Sequence, residues 1–167
     1  AFGYEFVSLG AAEGIDPVVI ASGDCGDNVT WTLTSDGVLT VSGTGPMEEY
    51  RVYDEETDNY WYYFTPWGEW KDQIRQVVIQ EGVTTVGSDA FSECTNLTSV
   101  TMADSVETIG AMAFSGCTGL NQITLSNNLQ SIEMMAFYDC SGLAAVALPE
   151  GLTYIAEDAF LACSSLK

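Results

Sequence analysis

The sequence predicts a strand-rich α/β solenoid, built of stacked 23-residue units that each hold one strand and a short helical turn, with a β-hairpin cap at its N-terminal end. Three observations predict it. Cys94, Cys117, Cys140 and Cys163 fall 23 residues apart, and Phe91, Phe114, Phe137 and Phe160 keep the same spacing. An internal period of this length marks a stacked array, because one such unit cannot bury its own apolar side. Within each unit the first segment alternates apolar and polar, the pattern of a half-buried strand. Upstream, VTWTLT and VLTVS flank Ser35, Asp36 and Gly37, a short polar loop whose glycine suits a hairpin turn.

Taken in order, residues 1–21 hold two short apolar runs split by Gly-Ala-Ala-Glu-Gly, and read as a leader, a linker or an extra strand. Residues 22–73 form the expected β cap. Its hairpin, 29–42, carries Trp31, Leu33, Leu39 and Val41, which would cover the apolar end and unpaired edge of a first repeat. Residues 48–72 then gather Tyr50, Tyr53, Tyr60, Trp61, Tyr62, Tyr63, Phe64, Trp67 and Trp70 beside many acids. Three readings are open. Phe64, Trp67 and Trp70 pack beneath the cap while an acidic loop is solvated; or the exposed Tyr and Trp form a recognition loop; or Asp54, Glu55, Glu56 and Asp58 hold calcium, at a spacing that matches no EF-hand. Residues 74–167 supply four units and the start of a fifth, with strands near 74–80, 97–102, 120–125 and 143–148. Inward columns are Val77, Val100, Ile123 and Val146, then Ile79, Met102, Leu125 and Leu148; the VxxI segments add Val86, Ile109, Ile132 and Ile155. Each AF segment reads as one turn of helix, too short to be stable alone.

Composition excludes several functions. The 167 residues include 24 acids, 4 bases and no histidine, a net charge of −20 that repels phosphate backbones and leaves no footprint for nucleic acid. No apolar run is long enough to insert in a membrane, and AFGYEFVSLG lacks the basic start of a signal peptide, so any export signal is expected to have been removed. The repeat cysteines sit in an apolar column without a base, which argues against catalysis, and equivalent positions along a line cannot converge tetrahedrally on zinc. Parallel rungs also hold equivalent Cβ atoms about 4.8 Å apart, beyond the preferred reach of a disulfide, so buried free thiols are expected, with Cys25 apart in the cap. Acids do not recur in register: Glu81, Asp104 and Glu150 share a column broken by Asn127. With no nucleophile-elbow, P-loop or dinucleotide motif either, neither an enzyme nor a cofactor is expected.

The segments LTSVTMADSVETIGAMAFSGCTGL (97–120) and LNQITLSNNLQSIEMMAFYDCSGL (120–143) resemble the BspA-like, or Treponema pallidum type, leucine-rich repeats. The likeness covers about residues 74–167, and SGDCGDNVTWTLTSDGVLTVSGTGPM (22–47) resembles the segment that often precedes such repeats. It implies a right-handed leucine-rich solenoid and an exported or surface-attached bacterial protein, some relatives of which bind host proteins or neighbouring cells. Two departures bear on the ligand: the insertion at 48–64 and the Ala-rich strand GLAAVALPEG of the fourth unit. A protein partner is therefore expected on the outward strand positions, Gln76, Val78, Ser99, Thr101, Gln122 and Thr124, with Ala144, Ala145 and Ala147 on the fourth rung, about 15 Å from the first. The alternatives are a glycan held by Trp61 and Tyr62 in the aromatic segment, or a purely structural spacer in a larger surface protein.

Overall fold

The computed structural model describes residues 16–62 and 64–167, the side chains of 52, 53 and 60–62 excepted. Of the segment read as leader, linker or strand, residues 1–15 lie outside the described residues. The first three strands of the described residues are β1 (Val19–Gly26), β2 (Val29–Thr34) and β3 (Val38–Gly43), joined antiparallel in sequence order. The expected hairpin is thus β2–β3, and β1 extends it across residue 21. Gly37 closes its turn with φ +87, its N–H bonded to the Thr34 carbonyl at 2.9 Å. A Cβ there would sit 2.5 Å from the Gln73 carbonyl oxygen, so both the turn and the incoming chain require glycine.

Beyond the hairpin, β4 (Gly45–Pro46) is followed by an antiparallel pair, β5 (Arg51–Asp54) and β6 (Asn59–Tyr62), and by a single 3-10 helix, Gly68–Gln73. The repeats then contribute alternate strands to two sheets. One runs β1-β2-β3-β7-β9-β11, where β7 (Gln76–Ile79), β9 (Ser99–Met102) and β11 (Gln122–Thr124) are parallel to β3 and to each other. The other runs β13-β12-β10-β8-β4, all parallel, with β8 (Val83–Val86), β10 (Thr108–Ile109), β12 (Ser131–Ile132) and β13 (Tyr154–Ile155) supplied by the VxxI segments. Sequence alternation finds the first sheet only. Strands of two residues have no period to display.

Two expectations are corrected. The AF segments are not helical turns. In the first unit Ala90, Ser92 and Cys94 donate to carbonyls three residues back, whereas Asp89, Phe91 and Glu93 donate to Ala111, Ala113 and Ser115 of the next unit. Alternate N–H groups bond to the next unit, and the reversals fall at φ 57 for Asp89 and φ 61 for Glu93, so no helix can propagate. The second correction concerns 143–148, which is not a strand. Alanine has little preference for extended structure, Pro149 has no N–H to prolong a ladder, and Leu148 is 49% exposed.

Packing follows the columns. Val77, Val100, Val86, Ile109 and Ile132 are buried, as are Phe91, Phe114 and Phe137 at 0% exposure. Trp67 heads the ring stack, which continues through Phe91, Phe114 and Phe137 to Phe160 at centroid spacings of 5.1, 5.3, 5.4 and 5.1 Å. Burial fades at the last unit, where Tyr154, Ile155 and Leu161 are exposed. No helix of the described residues is long and apolar enough to cross a membrane.

Candidate functional site

Because strand side chains alternate between faces, burying Val77 and Ile79, or Val100 and Met102, turns their neighbours outward. Register then aligns them. Gln76 lies beside Ser99 and Ser99 beside Gln122; Val78 lies beside Thr101 and Thr101 beside Thr124. Gln76, Val78 and Ser99 are half-buried, and Thr101, Gln122 and Thr124 are exposed. All six expected strand-face residues therefore meet on one surface, in two rows.

The hairpin lengthens those rows. Thr40 pairs with Val78, Thr32 with Thr40 and Ser22 with Thr32, so one row reads Ser22, Thr32, Thr40, Val78, Thr101 and Thr124 across six strands. Adjacent strands lie about 4.8 Å apart, which gives a row of about 24 Å rather than the 15 Å expected from four repeat rungs. Sequence reasoning missed Ser22, Thr32 and Thr40 as part of this face. The signal was present in the alternation of VTWTLT, where Trp31 and Leu33 point inward. Short hydroxyls without charge dominate the row, so it offers hydrogen bonds and methyl contacts but no acid–base chemistry.

Trp61 and Tyr62 belong elsewhere. They lie in β6, on the separate β5–β6 sheet, and their side chains lie outside the described residues. The tip of that hairpin is shaped by Asp54, whose Oδ1 accepts the Glu56 N–H at 2.9 Å and whose Oδ2 accepts the Thr57 hydroxyl at 2.7 Å. Among the described residues no cluster of three or more metal-ligating side chains occurs. Trp67 is fully buried, edge-on to Trp31 at 5.7 Å, and Trp70 is half-buried at 5.8 Å from Trp31. Phe64, expected with them, is instead 100% exposed. Trp67 already occupies the head of the ring column, which leaves Phe64 no place in it.

The thiols are placed for packing. Cys117 donates to the Phe91 carbonyl at 3.1 Å, Cys140 to Phe114 at 3.2 Å and Cys163 to Phe137 at 3.1 Å, each bond joining one unit to the previous one. Burial pushes Cys94 and Cys140 up to about 12, and Cys25 likewise, so these thiols are protonated near neutrality and poor nucleophiles. Asp104 moves the other way, its carboxyl held down by hydrogen bonds from the Asn127 backbone N–H at 2.9 Å and side-chain amide at 3.0 Å. That pair explains the break in the acidic column: asparagine donates where a second carboxylate would repel.

Residues 69–167 match the family model for the BspA type leucine-rich repeat region, in six copies. Among solved structures, a leucine-rich repeat protein from Eubacterium ventriosum ATCC 27560 is 26% identical with a TM-score of 0.60, over 81% of this chain and 39% of that one. The leucine-rich repeat protein of T. pallidum is 28% identical, TM-score 0.56, over 81% of this chain and 54% of that one. One from Bacteroides ovatus ATCC 8483 is 29% identical, TM-score 0.56, over 84% and 39%. The chain thus spans between about two fifths and about half of the length of these proteins. No curated protein matches it.

Proposed function

Because the chain belongs to the BspA-type leucine-rich repeat family, we propose that it is a non-enzymatic binding module of a secreted or surface-attached bacterial protein, engaging a protein on a host or neighbouring cell. In this reading the units wind as a right-handed solenoid and the β1–β3 strands cap its first end. The observation that carries it is the six-strand row from Ser22 to Thr124, a neutral, hydroxyl-rich surface on a paired backbone. That pairing matters, since side chains held by a paired backbone lose little freedom on docking. Net charge favours basic partners and repels acidic ones during approach, while the uncharged row makes the contact.

Surface plasmon resonance on a partner drawn from extracellular-matrix proteins or bacterial surface proteins tests it. The double variant Thr101→Ala/Gln122→Ala is expected to raise the dissociation rate at least about fivefold with a smaller effect on association. An unchanged dissociation rate would place the contact on another surface.

A further inference from the structure

We propose that the cleft which Tyr50 and residues 64–71 form with the first repeat is a binding site for a neutral carbohydrate. It encloses about 420 Å³ and is lined by Tyr50, Phe64, Thr65, Lys71, Asp89 and Ser92, with Gly68 at its wall. That volume lies within the range of small-ligand sites. Two neighbouring hollows also border Phe64, one of about 510 Å³ beside Trp70 and one of about 430 Å³ beside Glu48 and Glu49. Phe64 is therefore the ridge at which three hollows meet, which suits a chain of sugars better than a single one.

The lining has the composition a polyol requires. Phe64, wholly exposed, offers an apolar ring on which the C–H face of a pyranose can lie. Tyr50 and Thr65 are only 2% and 9% exposed, yet their hydroxyls have no hydrogen-bond partner. Buried hydroxyls are ordinarily partnered, and these two belong to residues that border a cleft. Asp89 adds a carboxylate to the lining: its side chain is 15% exposed, with Oδ2 buried 3.9 Å from Arg51 Nε. Lys71 adds a donor, its Nζ anchored on the Ser92 carbonyl at 2.8 Å with further N–H groups to give.

Charge selects among ligands. Asp89 and the molecule's net charge of −20 oppose an anion, while Lys71 and Arg51 oppose a bare cation, so a neutral ligand rich in hydroxyls fits best. The site uses none of the strand-face residues and stands apart from the protein-binding reading.

Isothermal titration of the chain with neutral malto-, cello-, xylo-, manno-, galacto- and chito-oligosaccharides, and with polygalacturonate as the acidic probe, tests it. At least one neutral oligosaccharide is expected to bind and polygalacturonate is not. Phe64→Ala should weaken that binding at least about tenfold, the worth of one aromatic stack. Gly68→Leu should weaken it similarly by filling the cleft, since a Cβ there meets only Thr65 Oγ1, at 3.5 Å, an ordinary contact. Thr101→Ala/Gln122→Ala should leave sugar affinity unchanged, which separates this site from the strand face. Absence of binding at about 10 mM of every neutral sugar, preference for polygalacturonate, or binding that survives both cleft variants would overturn the proposal.

Discussion

Phe114 has a ring on either side of it, Phe91 at 5.3 Å and Phe137 at 5.4 Å, and no exposed surface. Truncation to alanine removes both contacts and leaves a cavity that the paired backbone cannot close. Urea denaturation of Phe114→Ala is expected to show a loss of about 3 to 5 kcal/mol, and Phe160→Ala, at the half-covered end, a smaller one. Equal losses would mean that the column does not act as a stack. The cysteines beside these rings carry a pH dependence of definite sign. Cys94 and Cys140 move from 9.0 to about 12 on folding, so the unfolded chain loses those protons first as pH rises. Their contribution is complete below pH 9 and is lost between pH 9 and 12, at up to about 1.4 kcal/mol per pH unit for each thiol. Burial raises Tyr50 as well and works in the same direction. Under reducing conditions the urea midpoint should be flat from pH 7 to 8.5 and fall above pH 9. A midpoint flat to pH 11 would show the thiols to be exposed to water.

At the scale of elements, the turns between the two ladders hold non-glycine residues in the left-handed region at matching places, among them Met112 at φ 54, Met135 at φ 55, Asp158 at φ 58 and Ala162 at φ 63. An L residue there bears a cost of about 1–2 kcal/mol that glycine avoids, less glycine's larger loss of freedom on folding. Ala162 is exposed, so Ala162→Gly changes little else, and a gain of about 0.5–1 kcal/mol is expected by thermal denaturation. A loss would place Ala162 in another conformation. Legibility divides along the same lines. The columns of Val100, Phe114 and Cys117 and the hairpin around Gly37 stand out in the sequence because burial fixes residue type at a fixed spacing. The turns do not, since Asp89 and Met112 occupy equivalent positions and share a backbone angle but no chemistry. The second sheet was hidden by its length, two residues in β10 and two in β12. The strand-face rows were legible on β7, β9 and β11 from alternation alone, whereas their continuation onto Thr40, Thr32 and Ser22 depends on a parallel β3–β7 pairing that no local pattern encodes. Phe64 was misread because its companion Trp67 had taken the interior position, a competition that only the packed structure reveals.

At the scale of the whole molecule, 24 acids against 4 bases leave each carboxylate facing others across a small surface. Some of these acids have local partners: Asp89 has Arg51 at 3.9 Å, Asp104 accepts from Asn127, Glu49 from the Ser88 N–H, and Asp54 holds its own turn. With so few bases to offset 24 acids the net repulsion is large, and it is stronger in the compact state than in an expanded chain that can separate the charges. Salt should therefore stabilise this fold, the opposite of what a protein held by surface ion pairs would show. Raising sodium chloride from about 0.02 to 0.5 M shortens the screening length from roughly 20 Å to about 4 Å, less than one strand spacing. The melting temperature at pH 7 is expected to rise over that range, by about 2–4 °C for each kcal/mol of repulsion removed in a domain of this size. The same screening should slow association with a basic partner without loosening the complex, because the row from Ser22 to Thr124 carries no charge. Differential scanning calorimetry decides the first point independently of any ligand: a melting temperature that falls with salt would mean that specific ion pairs, rather than diffuse repulsion, dominate the electrostatics of the stack.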